Sequence, residues 1–469
     1  MGVGSAELVV ALSIASTLTL YWIGQGALDV FGTVSDLLVD LAAFSAAVAW
    51  LWGTIRLEAS RIRAVFTAFT LGLCLWFGAE LAWSVYLLVL HMEVPYPSFA
   101  DVLWLAGYVP LALGFVMLSK WLGLGAGRKT LVVQLTVASA SAAAVAAITA
   151  LPMLSFALAG EASVPALYFD SAYAVLDLVL LFLAVLGIGL AAQGGLSLGV
   201  AWLPAFLAIV LNAVADQSFS YLSAYELYHA GSIVDALFTV SYVLLAYGAY
   251  RVWETLPSMS ELLRQRGVSG PLALDDSSLF SRAIGVPASQ LFSRKILFEF
   301  DPASSFDKHV RAFAGESLLR DIPTIFFTRS GSVLHESIQD LRGLSFVLLT
   351  ATLRTPTRSG EVLLLPTADT ALILDTVVRA SSACEKSGLA LVFDNLSDLV
   401  KSLGFRKAYM FTKLTLEVLV EKPVSALFMI NPSSHESRIS ASFRALFANQ
   451  VSCGAQGLKV ARWGSTPNP

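Results

Sequence analysis

The sequence predicts a membrane domain of eight α-helices followed by a cytoplasmic α/β domain with a mostly parallel sheet. Long apolar segments fill the chain up to residue 250 and then stop. Lys and Arg occur in only some of the connections between these segments. Beyond residue 291, short apolar runs alternate with helical stretches, which is typical of buried parallel strands covered by helices.

Eight segments are long enough to cross a bilayer, which takes about 20 mostly apolar residues. The first has no basic residues before its apolar run, so we interpret it as a retained helix and not as a signal peptide. Trp and Tyr near the segment ends are typical interfacial anchors. The predicted spans are 6–27, 34–54, 64–90, 101–121, 131–158, 168–192, 198–222 and 232–250.

The basic residues of the first half predict the orientation of these spans. Lys and Arg close to a membrane span stay on the cytoplasmic side. They fall in the connections after the second, fourth and eighth spans, and the other connections hold none. We therefore expect a multi-pass protein of the cell membrane with both termini in the cytoplasm. The residues are Arg56, Arg61, Arg63, Lys120, Arg128, Lys129 and Arg251.

The composition argues against two classes of partner and ligand. Hydrophobic residues make up 56% of the chain and the net charge is −4, without a basic footprint for nucleic acid. Cys74, Cys384 and Cys453 are scattered, so they indicate neither a disulfide framework nor a zinc site. We expect no cofactor, and the lipid bilayer is the first partner that the sequence implies.

An internal repeat joins two parts of the membrane domain. DVLWLAGYVPLALG and DALFTVSYVLLAYG carry Asp, Tyr and Gly at the same relative positions. Each is preceded by a helix with an acid and, three residues on, an aromatic residue. Four spans separate the copies, so they share one orientation and form a parallel repeat; the alternative is that apolar helices align through composition alone. The matched residues are Asp101, Tyr108, Gly114, Glu80 and Trp83 against Asp235, Tyr242, Gly248, Asp216 and Phe219, and the span at Asp177 is a weaker candidate copy.

Acidic side chains in the outer half of the bundle are candidate sites for sensing a ligand or protons. Charges within a membrane span are costly and usually functional, and no Lys or Arg stands at this depth. The candidates are Glu80, Asp101, Asp177, Asp216 and Asp235. We further expect Glu80 and Asp216 to face one another or a shared polar cavity.

Two other readings apply to the outer residues. Asp36, Asp101, Asp170 and Asp235 would cap helix N-termini at the outer interface, which suits the helix dipole. Capping does not explain Glu80, Asp177 and Asp216, which fall inside helices. His91 and His229 lie near outer ends and would bind a metal or sense pH if carboxylates lie beside them.

One segment of the bundle resembles a sensor module. YPSFADVLWLAGYVPLALGF is similar to a hairpin found in multi-pass sensor regions of membrane histidine kinases and cyclic-dinucleotide enzymes. The resemblance covers about 70–120, with the repeat near 210–250. It implies an input module and names no ligand, and the kinase or cyclase output that usually follows is missing.

The second half divides into a connector, a domain and a tail. We expect a membrane domain at 1–250, a cytoplasmic helix and linker at 251–290, an α/β domain at 291–462 and a disordered tail at 463–469. LKVAR is predicted to be an edge strand. The other predicted strands are 296–300, 324–327, 344–349, 361–365, 389–393 and 426–430, with helices at 304–319, 331–341, 368–386, 396–419 and 434–448.

The α/β half resembles the RecA/KaiC-like ATPase core in the eroded form of an archaeal family of domains of unknown function. The resemblance lies in the order of ILFEFDPASSFDKHVRAF, TIFFTRSG, LALVFDNLSDLVKSLGF and ALFMINPSSHES, over about 295–450. It implies a RecA-like sheet, with Asp394 at the position of the Walker B aspartate.

The expected ATP site lacks its usual parts. A phosphate-binding loop needs glycines and then Lys followed by Ser or Thr. DPASSFDKH has no glycine, and His309 follows Lys308 in place of the hydroxyl residue. We therefore predict no ATP hydrolysis. A weaker nucleotide or phosphate pocket at the strand ends would use Lys308, Thr328, Arg329 and Asp394.

Ordinary structural roles compete with that pocket. Asp394 also suits a helix start at which Asn395 or Ser397 is the cap. Arg329 would equally be a surface residue or the partner of a nearby acid.

The sequence thus favours signal transduction or scaffolding at the membrane without catalysis. Outer-side sensing would pass through the last span and 251–264 to an α/β domain that binds a cytoplasmic protein. A homo-oligomer is compatible with this function. The alternatives are a cation- or proton-coupled transporter or channel, supported by the repeat and the intramembrane acids, and a membrane-anchored ATPase.

Overall fold

The computed structural model describes residues 5–24, 28–57, 60–122, 128–159, 164–193, 197–225, 227–256, 279–341, 343–359 and 362–464. The main boundary between its two compact units falls between Thr255 and Leu256. Most of the predicted linker and tail, together with Glu161 and Glu226, lies outside the described residues.

Eight long apolar helices make up the described part of the first unit. All eight are long and apolar enough to cross a membrane. They follow the predicted spans because uninterrupted apolar sequence favours helices in which every backbone group is satisfied internally. The helices are α1 Ser5–Gly24, α2 Leu28–Arg56, α3 Arg61–Ser84, α4 Phe99–Leu122, α5 Arg128–Ala159, α6 Val164–Gln193, α7 Ser197–Ala224 and α8 Ile233–Thr255.

Several helices begin or end beyond the predicted spans. α2 and α6 start well before Asp36 and Asp170, so the prediction that these two acids cap helix N-termini is wrong. A π-helical turn, Val85–Val89, extends α3. Pro110 and Pro204 lie inside α4 and α7, and both helices continue past them.

The bundle repeats its packing as well as its sequence. α2 packs along α8, and α6 packs along α4. A methyl group on Gly114 would lie against the Phe69 ring, and one on Gly248 would lie 3.0 Å from Ala205. Phe69 and Ala205 stand at the same offset from Glu80 and Asp216. The first hairpin (α3 and α4) and the second hairpin (α7 and α8) therefore share this packing at matched positions, as the repeat predicts.

Six fully buried aromatic rings form a layer across the bundle. They come from four helices, α2, α3, α4 and α7, and their centroids lie 4.4 to 5.9 Å from their neighbours. Such edge and offset contacts add to the stabilisation from burial. We call these residues the aromatic layer: Trp50, Phe66, Phe69, Phe115, Trp202 and Phe206.

The second unit is an α/β domain. Its described strands form one mixed sheet in the order β4-β5-β3-β2-β6-β7-β1-β8-β9. All neighbours pair in parallel except β4 with β5 and β8 with β9, at the two edges. The strands are β1 Lys295–Phe300, β2 Thr324–Thr328, β3 Leu344–Thr350, β4 Thr357–Ser359, β5 Val362–Pro366, β6 Leu389–Phe393, β7 Val424–Ile430, β8 Asn449–Gly454 and β9 Gly457–Arg462.

The predicted strands are confirmed with shifts of one or two residues at their ends. The predicted helix over 396–419 is two helices, because Gly404 has a positive φ of 82° and separates them. β4 and β8 were not predicted. The helices are α9 Phe280–Ala283, α10 Ala288–Leu291, α11 Phe306–Leu318, α12 Val333–Ile338, α13 Thr370–Ala383, α14 Leu396–Leu403, α15 Phe405–Leu419 and α16 Ser437–Arg444.

The α/β unit begins earlier than the expected boundary at residue 291. Phe280 in α9 is fully buried and packs on Phe298 and Phe313. The backbone N–H of Ser281 donates to the buried Glu316 carboxylate at 2.9 Å. Residues 280–291 therefore belong to the folded core of this unit.

Candidate functional site

Asp101 and Asp235 close the N-termini of equivalent helices. Asp101 accepts hydrogen bonds from the backbone N–H and hydroxyl of Ser98, at 2.6 and 2.8 Å. Asp235 accepts from the backbone N–H of Gly231 at 2.6 Å. Each acid is the third residue of its helix, the position from which a side chain reaches back to the cap. The capping alternative is confirmed for these two acids.

Both caps are also tied to other helices. The Tyr173 hydroxyl in α6 donates to Asp101 at 3.1 Å. The Ser35 hydroxyl in α2 donates to Asp235 at 3.2 Å. Asp101 and Asp235 therefore link helices at one end of the bundle in addition to capping.

The first carboxyl cluster consists of Asp40, Glu80 and Tyr242, from α2, α3 and α8. The Tyr242 hydroxyl donates to Glu80 at 2.7 Å, and the Trp104 indole approaches the same oxygen at 3.4 Å. Asp40 lies close enough to interact electrostatically with Glu80, and accepts from the Ser84 hydroxyl at 2.7 Å. This cluster connects the two hairpins.

The second carboxyl cluster consists of Asp177, Asp216 and Tyr108, from α6, α7 and α4. The Tyr108 hydroxyl lies 2.5 Å from Asp177 and 3.3 Å from Asp216. Gln217 donates to Asp177 and Asn212 donates to Asp216, each at 2.8 Å. A phenol carries one hydrogen, so the two carboxyl groups compete for it.

The two clusters are copies of one arrangement. Each cluster takes one acid from the helix before a hairpin, one acid from the first helix of that hairpin, and a tyrosine from the second helix of the other hairpin. In this correspondence, α2, α3 and α8 of the first cluster match α6, α7 and α4 of the second. Tyr242 of the second hairpin bonds Glu80 of the first, and Tyr108 of the first approaches Asp216 of the second. The rings of Trp83 and Phe219 meet at 6.5 Å. Glu80 and Asp216 thus lie inside one polar region, as we expected.

The sequence places no Lys or Arg in the helix segments that form this region. The stretches 1–55, 64–119 and 130–250 contain neither Lys nor Arg. Arg251, near the C-terminal end of α8, pairs with Glu7 at 2.6 Å. The carboxyl groups of both clusters therefore rely on hydroxyl, amide and indole donors.

The aromatic layer lies on one side of both clusters. Phe69 precedes Glu80 by about three helical turns, and Trp202 precedes Asp216 by about four. Trp50 follows Asp40 by about three turns. In α2, α3 and α4, the rings of the layer lie nearer than the cluster residues to the ends that carry Arg56, Arg63 and Lys120.

Sequence reasoning missed the donors of these clusters. Tyr108 and Tyr242 marked the repeat but were not predicted to contact the acids. Their matched offset from Asp101 and Asp235 was the signal that could have found them, since a repeated polar residue within a membrane helix needs a partner. Gln217 and Asn212 stand beside Asp216 in the same helix and gave no periodic signal.

The structure does not support the predicted metal site at His91 and His229. Within the part of the chain that the structure describes, no group of three or more His, Cys, Asp or Glu residues is arranged to hold a metal ion. His229 contacts the carbonyl oxygen of Ala230 through Nδ1 at 3.4 Å. A metal at His91 or His229 has no support in these contacts.

The candidate pocket of the α/β unit is partly assembled. β2 and β6 are neighbours, and the chain leaves β2 toward β3 but leaves β6 toward β7. Ligands of α/β sheets bind at such switch points, beyond the carboxyl ends of the strands. Here the Thr328 and Ser332 hydroxyls donate to Asp394 at 2.7 and 3.2 Å. Burial raises the pKa of Asp394, and these two hydrogen bonds oppose the rise.

The other predicted pocket residues do not contribute to this contact. Arg329 is exposed and pairs with Asp398 at 3.2 Å, so its alternative as the partner of an acid is confirmed. Asn395 caps α14 by accepting from the backbone N–H of Asp398 at 2.9 Å. Lys308 is exposed on α11.

In the loop after β1, two backbone N–H groups are already hydrogen-bonded within the loop itself. The N–H of Ala303 donates to the Asp301 carboxylate at 3.0 Å, and that of Ser304 donates to the Asp301 carbonyl at 2.9 Å. A phosphate at this loop would meet the Asp301 carboxylate and would find these two donors already engaged. The geometry of the loop agrees with its lack of glycine.

No protein-family model and no curated protein matches this chain.

Proposed function

We propose that this chain is a membrane-embedded signal-transduction or scaffolding protein with both termini in the cytoplasm. Its helix bundle senses a proton or cation signal on the outer side. Its α/β domain, RecA-like by the resemblance of its motifs, is not catalytic and binds a cytoplasmic protein. α8 and residues 251–264 carry the signal between them.

The paired carboxyl clusters are the observation that carries this proposal. They hold four acids inside a helix bundle without a Lys or Arg in the surrounding segments. Protons and cations are the ligands that such groups bind when no basic side chain neutralises them. The buried aromatic layer favours sensing over conduction in this proposal, because packed and fully buried rings do not provide the polar lining that an ion path needs.

The α/β unit supports a binding role over ATP hydrolysis. The loop after β1 offers few free N–H donors, and Asp394 is engaged by Thr328 and Ser332. ATP hydrolysis needs a preorganised phosphate loop and a carboxylate that is free to hold Mg²⁺.

Proteoliposomes test the sensing role. We expect no uptake of protons or monovalent cations with or without a proton gradient. We expect the protection of bundle amides from hydrogen exchange, relative to the intrinsic exchange rate at each pH, to change with external pH or cation, and Glu80→Gln with Asp216→Asn to abolish that change. Glu93→Gln, at an exposed acid outside both clusters, is the matched control and should respond like the parent. An unaltered response in the Glu80→Gln/Asp216→Asn protein would contradict the proposal.

An ATPase assay on the full-length protein tests the absence of catalysis. We expect turnover at the background rate in the parent and in Asp394→Asn. Steady turnover that Asp394→Asn abolishes would instead support the membrane-anchored ATPase.

A cation- or proton-coupled transporter is the second candidate. The matched packing of the two hairpins favours it, because parallel repeats are a common plan of transporters. Against it, α4 and α7 continue through their prolines, whereas transporter sites usually use broken helices. Gradient-driven uptake in the liposomes would select this function.

A further inference from the structure

The two tyrosine–carboxyl contacts that cross between the hairpins are reciprocal. Tyr242 in the second hairpin donates to Glu80 in the first. Tyr108 in the first hairpin approaches Asp216 in the second. Two such contacts at equivalent positions fix the hairpins against both sliding and rotation, which one contact would not do.

The two contacts differ in strength. The Tyr242 contact to Glu80 is 2.7 Å, and Asp40 beside it is held separately by Ser84. Tyr108 bonds Asp177 at 2.5 Å and leaves Asp216 at 3.3 Å. The equivalent parts of the repeat thus hold a tighter and a looser arrangement at the same time.

This difference has a source in the sequence. Gln217, beside Asp216, donates to Asp177 and holds it at the Tyr108 cluster. The equivalent residue of the first hairpin is Leu81, which offers no donor. Asp40 accordingly turns to Ser84. Small differences in donors between otherwise equivalent sites are what a two-state element needs, because they set a small free-energy gap.

We propose that the two crossed tyrosine–carboxyl contacts form a latch between the hairpins, and that opening this latch is the conformational step of the bundle. With the latch closed, the hairpins keep the arrangement of this structure. With it open, the ring contacts of Trp83 with Phe219 and of Trp76 with Tyr242 still link the hairpins at this level, and the hairpins separate at the ends that carry Asp101 and Asp235. The latch rests on the proposed sensor for its purpose, but its test requires no signal.

A distance between equivalent positions measures the latch. Phe99 and Ile233 are the first residues of α4 and α8, and both are 60% exposed. Spin labels on Phe99→Cys and Ile233→Cys report the separation of the hairpins in full-length protein in lipid nanodiscs. Cys74 is exposed and is replaced by Ala, whereas Cys384 and Cys453 are buried and stay.

We expect one narrow distance distribution in the labelled parent. Tyr108→Phe with Tyr242→Phe removes both hydroxyls and keeps both rings, and should add a longer distance. Tyr228→Phe is the matched control, because Tyr228 donates to Asp235 within the second hairpin and should leave the distribution unchanged.

Two results would overturn the latch. One is a parent-like distribution in the Tyr108→Phe/Tyr242→Phe protein, and the other is an equal change in Tyr228→Phe. If the double variant does not fold, Tyr242→Phe alone decides the matter, since losing the shorter contact should already populate the longer distance. Glu80→Gln keeps an acceptor for Tyr242 and should keep the parent distance even if the sensing response is lost, so the latch and the sensor fail separately.

Discussion

Thr328 satisfies a buried carboxyl group at the end of β2. It is fully buried, and its hydroxyl lies 2.7 Å from Asp394. Thr328→Val keeps the shape of the side chain and removes the donor. We expect a loss of about 1–3 kcal/mol in the unfolding free energy of the α/β unit, because a buried acceptor is left with one donor fewer. Thermal unfolding of the full-length protein, monitored through hydrogen exchange in β6, measures this loss in stability. Thr352→Val, at an exposed position, should change it little.

The buried carboxyl group of Asp394 should make the stability of the α/β unit depend on pH. Burial raises the pKa of Asp394 above that of an unfolded Asp, so the folded state binds its proton more tightly. The stabilisation that proton binding to Asp394 gives the folded state is therefore fully present below the unfolded pKa and is lost as pH rises through the folded pKa.

Asp394→Asn should remove this dependence. The amide oxygen still accepts from Thr328 and carries no charge. We expect the variant to be more stable than the parent at pH 8 and equally stable near pH 4. Parallel unfolding curves at the two pH values check this. A variant that is less stable at pH 8 would show that the charged carboxylate is needed there.

At the scale of the elements, the first hairpin depends on a close approach of two helices. A methyl group on Gly107 would lie 3.0 Å from the carbonyl oxygen of Gly72 and would collide with the Trp76 ring. Small residues permit such contacts between membrane helices. Gly107→Ala should destabilise the bundle by about 1–3 kcal/mol, the usual effect of overpacking. Gly78→Ala is the control, since its methyl group would meet only Leu103 at 3.6 Å. Thermal denaturation in detergent compares the two.

The elements themselves were largely predictable, and their partners were not. Apolar length fixed the eight helices, and short apolar runs fixed six buried strands, because burial on all sides leaves a continuous apolar signal. β8, with the sequence NQVSCG, was missed because it alternates and lies beside an antiparallel edge strand. β4, with TRS, is exposed and has no apolar residue.

The candidate site shows the same limit. The cost of burying charge pointed to Glu80, Asp177 and Asp216. Sequence periodicity gives the face of a helix but not the helix opposite, so the pairing of Tyr242 with Glu80 required the structure. Asp36 and Asp170 were wrongly predicted as caps because helices α2 and α6 begin earlier than their apolar runs suggested.

At the scale of the whole molecule, the charge distribution predicts the topology. Single cysteines replace Glu161 and Glu226 in predicted outer connections, or Arg128 in a predicted inner one, in a Cys74→Ala background. A membrane-impermeant thiol reagent should label the first two in intact cells and the third only after lysis, because the basic connections stay inside. Labelling of the Arg128→Cys protein in intact cells would reverse the orientation.

The aromatic layer also determines how the molecule would respond to a membrane voltage. In a membrane, packed rings that keep water out would concentrate an applied potential at their level and leave less of it across the polar region that holds the acids. Moving one elementary charge through 100 mV takes about 2.3 kcal/mol. A proton that reaches Glu80 or Asp216 from the far side of the rings would pay that energy, and one that arrives from the side of Asp101 and Asp235 would cross little of the field. With the ends that carry Asp101 and Asp235 on the outer side, as we propose, occupancy of the carboxyl clusters should therefore follow the composition of the outer medium and depend little on voltage.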